Sequence, residues 1–264
     1  MKREKTYRIL GLAILGIVFL FALIGWIHTP YDPDKMNGQT KFLAPCLAHL
    51  FGCDQFGRDV FSRVAVGCGT TFLISVAVVS IGAALGTLLG AFSGYIGGAF
   101  DRILMRISDI IASFPSIFLA LVMIGIIGTG TPNLIVSLGI VFIPTFARVV
   151  RSEYVVQKEL DYVKHAKLMG TGILRIMFIH ILPNCRRSLL STLTIAFNSA
   201  VLAEAGMSFL GLGVQPPTAS LGRMLSEAQS NLLRAPWVAI FSGLFILFAV
   251  LGFGLLAASF SERS

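Results

Sequence analysis

The sequence predicts an all-α integral membrane protein with about six transmembrane helices. Of its 264 residues, 55% are hydrophobic and only 13% are charged, whereas about a quarter of an average soluble domain is charged. The apolar residues fall into blocks of about 20, the length that a helix needs to cross a bilayer. These blocks cover residues 9–27, 70–92, 103–127, 134–150, 189–207 and 238–260.

The first block follows a basic start, as in a signal peptide. Its 19 residues are too many for a typical signal-peptide apolar region, and no A-x-A cleavage site follows it. We therefore predict an uncleaved first membrane helix.

The distribution of Lys and Arg predicts the orientation. With the N-terminus inside, 15 of the 21 Lys and Arg residues lie in inside segments and six in outside segments. Cytoplasmic loops of membrane proteins carry this excess, so we expect both termini in the cytoplasm. The net charge of +8 is accordingly interpreted as a topology signal, and no nucleic-acid partner is predicted.

The first outside loop, residues 28–69, begins with the turn-rich run HTPYDPDKMNG. Its second half, CDQFGRDVFSRVAVG, predicts a short amphipathic helix on the outer membrane surface. Asp54 is the candidate cap, and Asp59 and Arg63 lie on the polar face. The apolar face is predicted to contain Val60, Phe61, Val64 and Ala65.

The same loop contains a C-x2-H-x3-C cluster formed by Cys46, His49 and Cys53. Such ligands could hold a soft metal, and the two cysteines could instead form a disulfide. A fourth ligand is not evident and the spacing matches no structural zinc pattern, so we predict no metal site.

The second apolar block carries a glycine every four residues: Gly82, Gly86, Gly90, Gly94 and Gly98. At helical pitch these residues form one smooth stripe. Membrane helices associate through close backbone contact at such small residues. We expect the stripe to pack against another helix.

The third block begins DRILMRISDIIASFPS, with Arg102, Arg106 and Asp109 on one helical face. Charges in a span usually face protein or water. Arg106 and Asp109 could pair with each other near the membrane surface, or they could line an inner gate. Pro115 is expected to kink or loosen the helix.

Glu204 is the one acid in the outer half of the fifth block, within LAEAGMSFLGLG. An acid there is a functional candidate, so Glu204 and the nearby Ser208 are candidate pathway or gate residues. Glu204 could instead bond to backbone near a broken helix end. The following GLGVQPPTASLGRML predicts an outside turn and then a short helix.

Motifs for catalysis or nucleotide binding are absent from the sequence. It contains no G-x4-G-K-[ST], H-E-x-x-H or G-x-S-x-G. The four histidines are scattered, and acids within the spans are few. We therefore predict a chain that is not an enzyme and binds no cofactor, and we expect any transport to draw its energy from elsewhere.

The largest inside loop, residues 151–187, interrupts the apolar chain with the basic run KHAKLMGTGILRIMFIHILPN. The spacing predicts a helix over 159–169, a break at Gly170 and Gly172, and a second amphipathic piece before Pro183 starts the next span. The apolar stripe of the first helix is predicted to be Tyr162, Val163, Ala166 and Met169. The loop could lie on lipid headgroups or dock a cytoplasmic partner.

This run resembles the E-A-A-x3-G-x9-I-x-L-P loop of bacterial ABC importer permeases, with Gly170 on the family glycine and Leu182-Pro183 on the final L-P. Lys164, His165 and His180 stand where that pattern has glutamate, alanine and isoleucine. HILPN is similar to the version in the peptide and nickel branch. Three longer segments also resemble that branch: FGCDQFGRDVFSRV, GYIGGAFDRILMRISDIIASFPS and AEAGMSFLGLGVQPPTASLGRML.

The chain is therefore identified as a member of the dipeptide, oligopeptide and nickel ABC importer permeases, of the second-permease "C" type. The resemblance implies a type I importer permease fold in the bacterial inner membrane. It implies four kinds of neighbour: a sister permease, two ABC ATPases that use ATP and Mg, an extracytoplasmic substrate-binding protein, and membrane lipid. It also implies that loop 151–187 couples the ATPase to the membrane, through Asp161, Tyr162, Lys164, His165, Ala166, Gly170, Arg175, Leu182 and Pro183.

Residues 1–69 are interpreted as an N-terminal membrane helix with its outer loop, and residues 70–264 as the transmembrane domain. The expected function is ATP-driven import of di- or oligopeptides through a pathway of which this chain forms half. Nickel or a metal chelate is the alternative substrate. An ion-coupled transporter and a structural membrane anchor are weaker alternatives.

Overall fold

The computed structural model describes residues 2–261, and the side-chain surroundings of residues 5–259. Within those residues the regular structure is helical. The first five α-helices are α1 (Lys2–Ile27), α2 (Val60–Ile96), α3 (Gly98–Ser113), α4 (Ser116–Ile127) and α5 (Thr131–Gln157). The rest are α6 (Asp161–Leu168), α7 (Ile173–Arg175), α8 (Arg186–Phe209), α9 (Leu221–Gln229) and α10 (Pro236–Ser261). A π-helical turn (Ile176–Ile181) and a 3-10 turn (Leu182–Cys185) join α7 to α8.

Five helical runs in the described part of the chain are long and apolar enough to cross a membrane: α1, α2, α5, the run from Ile173 to Phe209, and α10. The pair α3 and α4, bent by 93°, is the sixth candidate span. Pro115 stands at the bend, and Phe114 before it is extended, as expected because proline disfavours helical backbone in its neighbour. The prediction of about six spans is confirmed, and Pro115 breaks the third rather than merely kinking it.

Helix α2 is longer than predicted and corrects the interpretation of the outer loop. Asp59 caps it by accepting a 2.8 Å hydrogen bond from the Ser62 N–H, and the helix then runs unbroken through residue 70 for 37 residues. The prediction of a separate amphipathic surface helix is therefore wrong. The predicted boundary between the N-terminal segment 1–69 and the transmembrane domain 70–264 falls inside α2. Both faces of this segment are covered by protein, because Val60, Arg63 and Val64 are all buried.

The glycine stripe of α2 packs against α5, as predicted. A Cβ atom on Gly82 would stand 2.7 Å from that of Phe142, and one on Gly86 would stand 2.6 Å from the Ile143 carbonyl. Gly90 and Gly94 approach the Ala147 and Arg151 carbonyls in the same way. Gly98 is not part of this contact, because it begins α3 and has open space around it. Only glycine permits such close approach of the two backbones.

The outer loop, here residues 28–59, is held against α2 and α9 by buried ion pairs. The Arg58 guanidinium bonds to Asp54 at 2.6 Å and to Glu227 of α9 at 2.7 Å. Arg63 reaches back to Asp34 at 3.0 Å, and so pairs with this acid instead of with Asp59. Removing one member of such a buried set leaves an uncompensated charge, which is strongly destabilising.

The residues of the C-x2-H-x3-C cluster differ in their surroundings. His49 Nδ1 bonds to Asp59 Oδ1 at 2.8 Å, Cys53 is buried, and Cys46 is exposed. All four cysteines are free thiols, and the described residues contain no group of three side chains able to hold a metal ion. Burial and the neighbouring Asp59 raise the pKa of the Cys53 thiol to about 11.

Candidate functional site

The first helix of loop 151–187 is α6, which ends in a glycine turn. Gly170 has φ +78°, and its N–H donates to the Lys167 carbonyl at 3.0 Å. Nothing lies within 4 Å of a Cβ built at Gly170, so the requirement for glycine here is conformational and not steric. The predicted helix and break are confirmed, with bounds 161–168 in place of 159–169.

The inner side of the loop packs against the ends of the membrane helices. Val163 is completely buried, together with Ile176 and Met177. The Tyr154 hydroxyl of α5 donates a 2.8 Å hydrogen bond to the Met177 carbonyl, and Tyr162 of α6 donates to Gln157 Oε1 at 2.7 Å. The loop is therefore fixed to α5 by both apolar and polar contacts. Tyr154 was not identified from the sequence.

The second half of the loop is continuous with the next span. It was predicted to be a separate amphipathic piece ending at Pro183, but helical backbone runs from Ile173 to Phe209. Proline lacks an N–H and its ring crowds the carbonyl of the preceding turn. The π-helical turn and the 3-10 turn, which has Pro183 in its first positions, change the hydrogen-bond spacing so that the chain continues past it.

The tip of the loop exposes apolar side chains. Met169 was assigned to the apolar stripe of the first helix, but 86% of it is exposed. It lies just after the end of α6, where the chain turns away from the helix. Leu168 is 82% exposed. Ile173 and Leu174, beyond the turn, are each at least 60% exposed. We call these four residues the apolar tip. Large exposed apolar side chains on both sides of one turn make the tip a candidate interaction site.

The remaining predicted loop residues surround the tip or lie at its base. Asp161, Lys164, His165, Arg175 and Pro183 are exposed, whereas Tyr162, Ala166 and Leu182 are half-buried. Lys164 stands 4.0 Å from Asp161 at the surface, a pair that contributes little to stability. Lys164 and His165 therefore remain available to an external partner.

The two charged gate candidates on α3 do not pair with each other. Asp109 lies 3.8 Å from Arg148 Nε of α5, and Arg106 is exposed without a partner among the described residues. The stronger link between these helices was missed: Arg151 of α5 binds Asp101 through two hydrogen bonds of 2.6 and 3.0 Å. Fifty residues separate the two, and local spacing carries no signal for such a contact.

Glu204 and Ser208 lie together, inside the protein. Glu204 is completely buried, and its Oε1 accepts a 2.7 Å hydrogen bond from the Ser208 hydroxyl. The Ser208 oxygen in turn accepts from the Val214 N–H, and the hydroxyls of Thr71 and Ser220 also neighbour the carboxyl group. Glu204 therefore bonds near the end of the helix, as in the second interpretation, but its partner is a side-chain hydroxyl and not the predicted backbone.

The chain combines several helices long and apolar enough to cross a membrane with a loop whose apolar tip is exposed. Residues 86–263 match the family described as "Binding-protein-dependent transport system inner membrane component", and the chain belongs to this family. It is thus a multi-pass protein of the inner membrane, and the resemblance seen in the sequence is confirmed.

Three similar permeases align with almost the whole chain. The dipeptide transport system permease protein DppC of Haemophilus influenzae is 37% identical over 96% of this chain and 88% of its own length. The glutathione transport system permease protein GsiD of Pectobacterium atrosepticum is 39% identical over 92% and 81%. GsiD of Escherichia coli O6:K15:H31 is 41% identical over 97% and 84%.

A solved structure supports the same fold. The MetNI methionine ABC transporter, in inward-facing conformations, contains a chain that matches with a TM-score of 0.56 and 20% identity. The match covers 73% of this chain and 94% of that one. The predicted type I importer permease fold is therefore confirmed.

Proposed function

We propose that this chain is a permease subunit of an ATP-driven importer for di- or oligopeptides and forms half of the translocation pathway. The observation that carries the proposal is 37–41% identity, over nearly the whole chain, to permeases named for dipeptide and glutathione transport. Glutathione is itself a tripeptide, so both names denote short peptides. This agreement favours a peptide over nickel.

The proposed partners are a sister permease, two cytoplasmic ABC ATPases and an extracytoplasmic binding protein. The apolar tip supports an ATPase partner, because four large apolar side chains around one turn are costly to leave in water. ATP binding, with Mg, would close the ATPase pair and draw the two permease loops together. The membrane helices would then change from the inward- to the outward-facing arrangement.

Two hydrogen bonds between the loop and α5 support this transmission. Tyr154 bonds to Met177, and Tyr162 bonds to Gln157, so displacement of α6 would be passed to α5 and to the turn that precedes α8. The orientation follows from the same proposal: loop 151–187 and both termini lie in the cytoplasm, in agreement with the excess of Lys and Arg in inside segments. Arg106 is exposed on α3 and is the candidate we retain for the inner gate.

Cysteine cross-linking tests the docking step. Ala166→Cys, in a Cys46→Ser background, is expected to cross-link to an ATPase subunit in the assembled importer. Leu233→Cys is the matched control, because this residue is 99% exposed but lies before α10, on the proposed outer side. Absence of an ATPase product from Ala166→Cys over several linker lengths, or an equal yield from the control, would contradict the proposal.

Reconstitution separates the proposed importer from the alternatives. The importer predicts peptide uptake into liposomes only when the sister permease, ATPases and binding protein are present with ATP. An ion-coupled transporter predicts uptake by this chain alone along an ion gradient. A structural anchor predicts no change in uptake when this chain is left out of the otherwise complete assembly.

A further inference from the structure

An open recess of about 480 Å³ lies at the base of loop 151–187. It forms where the end of α5, the start of α6 and the start of α8 meet. Its lining residues are Gln157, Tyr162, Asn184, Arg186 and Arg187. We call it the basic recess. The apolar tip lies at the other end of α6, which is eight residues or about 12 Å long.

The recess carries positive charge that the described part of the protein does not neutralise. Arg186 and Arg187 are exposed and form no ion pair or hydrogen bond with any described residue. No acidic side chain lines the recess. Three acids lie near its lining in sequence: Glu153 accepts a hydrogen bond from the Ser188 hydroxyl, Asp161 is exposed near Lys164, and Glu159 is exposed outside the lining.

Most free polar groups of the recess are donors; the exception is Asn184, whose amide N–H already donates to the His180 carbonyl. Tyr162 gives its proton to Gln157 Oε1, which leaves the Gln157 amide N–H groups free to donate. Two guanidinium groups beside an amide donor suit an anion with several acceptor oxygens, because arginine binds phosphate oxygens in a bidentate manner. The chemical class of ligand is therefore a phosphate group.

The position of the recess indicates the source of that phosphate. Arg186 and Arg187 are the first residues of α8, and α8 crosses the membrane. In the proposed orientation, on which this step rests, the recess lies at the level of the inner headgroups. Basic pockets between membrane helices on that side bind acidic lipid headgroups. An ATPase surface is the less favoured occupant, because the apolar tip that it would cover lies at the far end of α6.

We propose that the basic recess binds the headgroup phosphate of an anionic phospholipid, through Arg186 and Arg187. The recess joins α5, α6 and α8, so a headgroup bound there bridges the base of the coupling loop and the span that follows it. Anionic lipid would thereby stabilise the relative position of the loop and α8, and the coupling of ATP hydrolysis to transport would depend on it.

Lipid retention on the assembled importer tests the proposal. The complete complex would be purified in nanodiscs containing phosphatidylglycerol and phosphatidylcholine, and the lipids retained after transfer to detergent counted by native mass spectrometry. The double variant Arg186→Gln/Arg187→Gln is expected to retain phosphatidylglycerol at least about tenfold more weakly, since each basic residue near an anionic surface contributes about a factor of five. Phosphatidylcholine retention should not change.

A matched control separates the recess from general surface charge. Arg102→Gln/Arg106→Gln also removes two exposed arginines without partners, but on α3, outside the recess. Equal loss of phosphatidylglycerol in both double variants would overturn the proposal. Arg186→Lys/Arg187→Lys keeps the charge but loses bidentate binding, so its phosphatidylglycerol retention should lie between those of the wild type and the glutamine variant; retention equal to that of the wild type would show attraction by charge alone and would also overturn the proposal.

Two further measurements distinguish the other occupants. Stabilisation of the detergent-solubilised complex by inorganic phosphate, as strong as that by short-chain phosphatidylglycerol and dependent on both arginines, would show a free-phosphate site. Loss of ATPase co-purification in the glutamine variant, with lipid retention unchanged, would place the recess in the ATPase interface. Either result overturns the lipid proposal. Retention is measured without ATP or peptide, so its failure is distinguishable from failure of the proposed transport.

Discussion

The Ser208 hydroxyl donates a 2.7 Å hydrogen bond to Glu204 and accepts one from the Val214 N–H. This relationship connects a buried acid of α8 to the backbone of the loop that follows it. Ser220, which caps α9 by accepting from the Arg223 N–H, and Thr71 of α2 also neighbour the carboxyl. Glu204 is thus joined through Ser208 to the loop after α8, while its Oε2 is buried and has no hydrogen-bond partner among the described residues.

Replacement of Glu204 is expected to act on stability. Glu204→Ala leaves a cavity and removes the acceptor of the Ser208 hydroxyl, which should cost about 2 kcal/mol or more and lower Tm by several degrees. Glu204→Gln keeps the volume and one acceptor oxygen, so its loss should be smaller. Thermal unfolding of the purified complex measures both, with Glu159→Ala at an exposed acid as control. Loss of transport by Glu204→Ala at unchanged Tm would instead support a pathway role.

The φ of +78° at Gly170 gives a prediction for coupling. Gly170→Val places a β-branched residue in the left-handed region, at a cost of about 1–2 kcal/mol, and the turn should move the apolar tip. ATP hydrolysed per peptide imported is expected to rise severalfold while the protein still inserts into the membrane. Gly172→Val is the control, because Gly172 has φ −63°, and it should remain coupled. Normal coupling in Gly170→Val would argue strongly against transmission through this turn.

The contact between α2 and α5 predicts a steric effect at Gly86. A Cβ there would stand 2.6 Å from both the Ile143 carbonyl and the Phe146 Cβ, so Gly86→Leu should force the helices apart and cost about 1–3 kcal/mol or more. Gly243→Leu in α10 has nothing within 4 Å of its Cβ and should be tolerated. Size-exclusion profiles after heating compare the two, and equal profiles would show that the close contact is dispensable.

The outer-loop cysteines should differ in reactivity. Cys46 is exposed, whereas Cys53 is buried and the pKa of its thiol is raised to about 11. Reaction with maleimide needs the thiolate, and at pH 7.5 a thiol with that pKa is almost entirely protonated. A membrane-impermeant maleimide should therefore label the wild-type protein in intact spheroplasts but label Cys46→Ser only slowly. Rapid labelling of that variant would contradict the burial of Cys53.

The sequence predicted the spans well because hydropathy is a local property that the bilayer requires. The prediction failed where contacts between residues distant in the sequence overrode the local pattern. The predicted surface helix and the second span form one unbroken helix, α2, in which Gly67 and Gly69 lie close to Leu221 and Trp26. These contacts join residues that are distant in the sequence, and so does the ion pair between Arg151 and Asp101.

The predictions for loop 151–187 divide in the same way between local and distant effects. The Gly170 turn was predictable, because glycine is the usual residue where a helix ends in left-handed backbone. The exposure of Met169 was not predictable, because helical periodicity does not show at which residue the helix ends. The apolar residues on both sides of the glycines, Leu168 and Ile173 among them, were the available signal for the tip.

The length of α2 has a mechanical consequence. Its 37 residues span about 55 Å, whereas the hydrocarbon layer is about 30 Å thick, so some 25 Å of this helix extends beyond that layer. One end is capped by Asp59, within the outer-loop ion-pair region. Near the other, Gly94 contacts Tyr154, whose hydroxyl bonds to Met177. One continuous helix therefore connects the outer-loop ion pairs to the base of loop 151–187, so a tilt of its outer end would displace the residues in contact with that base.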